Sequence, residues 1–207
     1  MCVQFGRSNV GVVHFSLDGE DLCYEAVKRA MAGFVYSEAV VSHYLRQLLN
    51  AVSYCHDRDI IHRDIQPKCV FLATKDNSAP VKLGGFHLAV QLQGGNAKIH
   101  GGRVGCSKFM APEIVNQEAY GSAADMWNIG IFAFVLLSGS LPFIGKPEEI
   151  YKATTAGKFT MRQKTWQYIS EYAKDFVVKM LTVDSLRRIS VEEALQHPWI
   201  QVSVNLR

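Results

Sequence analysis

Residues 60–69 read Ile60-Ile61-His62-Arg63-Asp64-Ile65-Gln66-Pro67-Lys68-Cys69, "IIHRDIQPKC". Asp64 offers a carboxylate that could accept a proton. Two residues on stands an amide, Gln66, and five on a thiol, Cys69. An amide donates hydrogen bonds but carries no positive charge, so Gln66 would steady a charged transition state poorly. A thiol is a soft ligand and Mg²⁺ requires oxygen, so Cys69 is ill suited to hold that ion. The stretch sets one group fit for proton transfer beside two that help neither charge nor metal.

On its N-terminal side, apolar residues at Val40, Val41, Tyr44, Leu45, Leu48, Leu49, Val52 and Cys55 fall at helical spacing. With Ser37 as N-cap, they predict a helix over residues 37–58. Farther back, Asp18 or Asp21 caps an expected helix reaching about Met31, and residues 12–15 read as a short strand. Residues 1–11 carry no clear pattern. On the C-terminal side, residues 69–73 and 81–83 read as two strands, with Asp76-Asn77-Ser78 supplying the turn of a hairpin. Residues 84–110 are Gly-rich, with Gly94-Gly95 and Gly101-Gly102, and suggest a mobile loop. Beyond them the pattern is helical: residues 123–138, 147–155, 170–181 and 191–197. Ser190 and Glu193 form the S-x-x-E capping box of the last helix.

Bulk properties set the outer bounds. A chain of 207 residues is long enough for one well-buried domain or one lobe of a larger fold. With 48% hydrophobic and 20% charged residues it is neither disordered nor fibrous. The net charge of +3 is too small to call for nucleic acid or an anionic membrane, and the basic residues read as scattered. Five cysteines, odd in number and without a C-x-x-C, suggest reduced thiols in a cytoplasmic protein. The most apolar run, residues 129–137, is about half the ~20 residues a membrane span requires.

Several motifs then line up: "HRDIQP" at 62–67, "VKLGGF" at 81–86, "APE" at 111–113, "DMWNIG" at 125–130, "LPF" at 141–143, "LRRIS" at 186–190 and "HPW" at 197–199. In this order they resemble the C-terminal lobe of a eukaryotic Ser/Thr protein kinase of the calcium/calmodulin-dependent group. "AGFVYSEAV" at 32–40, "NSAPVKLGGF" at 77–86 and "GGRVG…FMAPE" at 101–113 narrow the likeness. They resemble the kinase-like domains of membrane-associated guanylate kinase scaffolds of the calcium/calmodulin-dependent serine protein kinase type. The resemblance spans residues 12–202, leaving 1–11 unassigned and 203–207 as a tail. It implies a mainly α fold with a small β-hairpin, a protein-kinase-like C-lobe (α+β) with its N-lobe absent. No Gly-rich phosphate loop, strand lysine or helix-C glutamate can be placed in the sequence.

The resemblance also implies roles. Asp64 takes the place of the proton acceptor, Gln66 that of the lysine steadying the transferred phosphate, and Cys69 that of the asparagine holding a second Mg²⁺. Gly85 stands where the metal-binding aspartate of Asp-Phe-Gly belongs. Phe86 is kept, His87 replaces the final glycine, and Cys106 replaces the threonine that bridges aspartate and lysine. Asp21 matches a ribose contact and Phe71 the floor of an adenine pocket. The structural positions are intact: Glu113 and Arg188 match a buried ion pair, and Asp125 matches the acid holding the backbone of His62-Arg63. Trp127, Phe143 and Trp199 match core aromatics.

The expectation is a pseudokinase C-lobe, catalytically inactive in isolation, serving as a protein-interaction or scaffold module. It would bind ATP weakly and without Mg²⁺, take protein partners and no nucleic acid, and lie in the cytoplasm or at the membrane periphery without spanning it. Two other readings stand beside it. One is a Ser/Thr kinase passing phosphate from ATP to protein independently of Mg²⁺. The other is a truncated product without a function of its own.

Overall fold

Ser37 opens helix α1, Glu38–His56, with its hydroxyl accepting the Val40 amide at 3.4 Å. The buried stripe Val41, Tyr44, Leu45, Leu48, Leu49, Val52 and Cys55 is the one the spacing predicts. The computed structural model describes residues 5–6, 9–10, 22, 24–25, 36–74, 79–93, 98–161 and 164–202. The strand expected at 12–15, most of the helix expected before Met31, and the turn at 76–78 lie outside them. Within residues 1–11, strands β1, Phe5–Gly6, and β2, Asn9–Val10, pair antiparallel.

Strand β3, Ile60–Ile61, leads into the quoted stretch. Pro67–Cys69 forms one 3-10 turn and runs into β4, Val70–Leu72. Strand β5, Val81–Leu83, pairs antiparallel with β4, Phe71 facing Lys82. This is the expected hairpin, shortened because Cys69 belongs to the turn. Sequence reading misses a second pairing: β6, Val90–Gln91, returns antiparallel to β3.

The described part of segment 84–110 is also better held than its glycines suggest. Phe86–Leu88 closes a 3-10 turn, and Ile99 and Tyr120 exchange backbone hydrogen bonds of 2.9 and 3.1 Å.

The remainder is helical. Helix α2, Pro112–Val115, is a short one that the sequence pattern does not single out, and α3, Ala123–Ser138, α4, Pro147–Thr155, and α5, Glu171–Met180, fall where expected. The last expected helix is two, α6, Val191–Leu195, and α7, Pro198–Val202, because Pro198 cannot donate to the preceding turn and starts a new one. The capping box of Ser190 and Glu193 opens α6.

Helix α3 is the axis of the fold. Every residue from Ala124 to Phe134 is buried, as a helix apolar on all sides must be. It packs against α5 and α1. Trp127 and Phe143 stack with centroids 5.9 Å apart, and Trp199 is buried against Phe176. Glu38, at the head of α1, accepts the amide and hydroxyl of Ser170 at 2.7 and 2.6 Å and the Trp199 indole at 3.0 Å. One carboxylate thus ties α1, α5 and α7 together. No helix among the described residues is long and apolar enough to cross a membrane.

Candidate functional site

The quoted stretch is shaped by the polar end of α3. Asp125, fully buried, accepts the His62 amide on Oδ2 at 2.9 Å and the Arg63 amide on Oδ1 at 2.8 Å. Its Oδ2 also meets His56 Nε2 at 2.9 Å. Burial pushes this carboxyl up, but the His56 hydrogen bond and the charge and amide donors around it outweigh burial and hold it below the usual carboxylate range. The two amide bonds clamp a turn that needs clamping, since Arg63 has φ +70°, a left-handed conformation costly for a side chain with a Cβ. The same buried carboxylate helps push the Cys55 thiol up to about 11, after burial itself, so Cys55 is an inert core thiol.

Around that turn the candidate residues gather. Asp64 is buried, and its Oδ1 accepts the Cys106 amide at 2.9 Å. Gly105 makes the approach possible: at φ +88°, a Cβ there would lie 2.8 Å from the Arg63 carbonyl and 3.1 Å from Asp64 Oδ1. His62 is a core residue, its Nε2 2.8 Å from the Gly84 carbonyl and its ring 4.7 Å from that of Phe86. Gln66 is buried, and its Nε2 has no hydrogen-bond partner among the described residues. Phe71 is half-buried and closes on Gly84, where a Cβ would come within 3.0 Å of its ring. His87 is exposed, and Asp21 lies outside the described residues.

The two positions matched to metal ligands do not fit a hard divalent cation. The Cys69 thiol donates to the Asp64 carbonyl at 3.3 Å. Gly85 sits at φ +76°, and a Cβ there would fall 2.7 Å from Cys69 Sγ and 3.2 Å from Cys69 Cβ. The thiol therefore occupies the room that a carboxylate at 85 would need. A testable consequence follows for stability. Gly85→Asp should cost about 1–3 kcal/mol in a urea melt, from crowding and a strained φ. Adding Cys69→Ala should return part of that loss, a coupling of at least about 0.5 kcal/mol. Additive losses would show that the two positions are independent.

Three residues that sequence reading does not single out complete the arrangement. Asn128, buried on α3, accepts the Ile65 amide on Oδ1 at 3.2 Å and donates from Nδ2 to the Phe109 carbonyl at 2.6 Å. Tyr120 receives Arg63 Nη1 at 3.2 Å, while Arg63 Nε donates to the Leu88 carbonyl at 2.6 Å. His56 braces Asp125. Asn128 lies within the quoted "DMWNIG", yet nothing in that string tells a buried bridge from a surface amide.

Comparison with known proteins agrees with this geometry. Residues 13–200 match the family model described as the protein kinase domain. Protein lin-2 of Caenorhabditis elegans is 45% identical over 190 residues, 92% of this chain and 20% of lin-2. The calcium/calmodulin-dependent protein kinase type II subunit delta of Oryctolagus cuniculus is 34% identical over 210 residues, 97% of this chain and 39% of that protein. The chain therefore spans a fifth to two-fifths of the length of these relatives. It is a kinase-like domain of the calcium/calmodulin-dependent kinase group, related to calcium/calmodulin-dependent serine protein kinase. With the family model matched across most of its length, the chain belongs to the protein kinase domain family.

Proposed function

We propose that this kinase-like domain works as a protein-interaction or scaffold module and does not transfer phosphate by the Mg²⁺-dependent route. The observation that carries the reading is the Cys69–Gly85 contact: the space of one metal-ligand position is filled by the side chain of the other. Phosphoryl transfer depends on positioning and on metal ions that neutralise developing charge. Losing that coordination removes several kcal/mol of transition-state stabilisation, at ~1.4 kcal/mol for each factor of ten in rate. Everything that holds the scaffold is meanwhile kept, from Asp125 to the Glu113–Arg188 pair. A domain with sound architecture and a refilled metal site is one whose surface does the work.

Asp64, retained and held by the Cys106 amide, favours a second reading: a Ser/Thr kinase using ATP without Mg²⁺. A thermal melt with ATP, with and without Mg²⁺, separates these readings from an ordinary kinase. The expected result is a small rise in melting temperature that Mg²⁺ does not change. A rise that appears only with Mg²⁺ would overturn both.

A further inference from the structure

Arg103 is exposed, yet three parts of the fold meet at it. Its Nε donates to the Val115 carbonyl at 3.0 Å, and its guanidinium carbon stands 4.3 Å from the centroid of the Tyr151 ring. Val115 ends α2, so its carbonyl has no donor within that helix. Tyr151 is half-buried on α4, and α4 packs against α2. One side chain thus grips two helices at once.

On either side of Arg103 the chain is held differently. Around Gly101 and Gly102 no heavy atom lies within 4 Å of where a Cβ would stand, so no neighbour grips the backbone there. Farther upstream, Ile99 pairs with Tyr120. Downstream, Val104 packs on the core, Gly105 lies against the Arg63 carbonyl, and the Cys106 amide donates to Asp64 Oδ1 at 2.9 Å. Among the described residues, Arg103 makes the only hydrogen bond of the stretch between Ile99 and Cys106.

We propose that Arg103 latches a strap, residues 100–106, through which α4 controls the burial of Asp64. Two states define the device. In the latched state Tyr151 faces the guanidinium, while Asp64 is buried beneath Gly105 and bonded to the Cys106 amide. In the open state Arg103 leaves Val115 and Tyr151, the strap swings from Ile99, and the Asp64 carboxylate passes to water. An exposed cation over a ring and a single hydrogen bond are each modest contacts, so opening is a local event that leaves α3 folded. Whatever displaces Tyr151 weakens the latch and is read at Asp64. Linkage makes the coupling reciprocal, so a load on the strap is also read at α4. The device goes beyond the reading of the domain as an interaction module and holds whether or not Asp64 takes part in phosphoryl transfer.

The test is hydrogen exchange of the full chain, followed at the Cys106 amide and, as a reporter of global stability, at the amides of α3. Arg103→Ala should speed exchange at Cys106 by about tenfold, the loss of a hydrogen bond from a charged donor together with the ring contact. Tyr151→Leu keeps apolar bulk but removes the ring face, and should speed it by about threefold. Tyr151→Phe keeps the ring and should leave exchange unchanged. The double variant of Arg103→Ala with Tyr151→Leu should match Arg103→Ala alone, because both changes act on one contact.

Unchanged exchange at Cys106 in Arg103→Ala or in Tyr151→Leu would overturn the proposal. So would a double variant whose two factors multiply, or α3 amides that speed up by the same factor as Cys106.

Discussion

Arg188→Ala is expected to lower the folding free energy by about 3–5 kcal/mol, the cost of leaving a buried charge without its partner. Arg188 Nη1 and Nη2 donate to Glu113 Oε1 and Oε2 at 2.7 and 2.9 Å, a bidentate pair with both residues buried. The same guanidinium donates to the carbonyls of Ala123, Thr182 and Val183 at 2.7, 2.9 and 3.1 Å. It also stands 5.1 Å from the Trp127 ring centroid. Every donor is used, so truncation takes a donor from each of three carbonyls and leaves the carboxylate without its partner. Arg188→Lys should recover only part of the loss, since a point charge cannot reproduce the planar fork. Denaturant melts of the three proteins measure this; a loss below about 1 kcal/mol for Arg188→Ala would show that the pair is ornamental.

Asp125→Asn should cost about 3 kcal/mol and act where the site is built. An amide keeps one oxygen, so it cannot accept from His62, Arg63 and His56 as the carboxylate does. The left-handed turn at Arg63 then loses its clamp, and hydrogen exchange at the His62 and Arg63 amides should rise more than at α5. The pH dependence carries a sign. The carboxyl is lower in the folded state than its unfolded value near ~3.9, so its stabilisation is complete above about pH 4. That stabilisation is lost as pH falls through the lower folded value. Asp125→Asn should therefore flatten the acid limb of the stability profile. An identical acid limb in both proteins would contradict the assignment.

How much of this was legible follows from which groups carry each interaction. The α1 stripe and the α6 capping box show in sequence because side chains at fixed spacing make them. The Glu113–Arg188 pair and the Asp125 clamp were legible only through resemblance, at separations of 75 and about 63 residues. The β3–β6 pairing was not, since two residues on each side leave no alternation to read. In the described part of segment 84–110 the glycines that suggest mobility are visible in sequence and the tethers are not. Those tethers end on backbone carbonyls at Gly84, Leu88 and Phe109, which no side-chain pattern reports. The identities of Cys69 and Gly85 pointed away from Mg²⁺, but their mutual contact needed coordinates.

In the proposed reading, a kinase scaffold is kept while its two metal positions are closed. The most direct test of that reading is phosphoryl transfer to a Ser/Thr peptide mixture, measured across a Mg²⁺ titration beside the Asp64→Ala variant. No Mg²⁺-dependent turnover is expected in either protein. Turnover that rises with Mg²⁺ and vanishes in Asp64→Ala would contradict it.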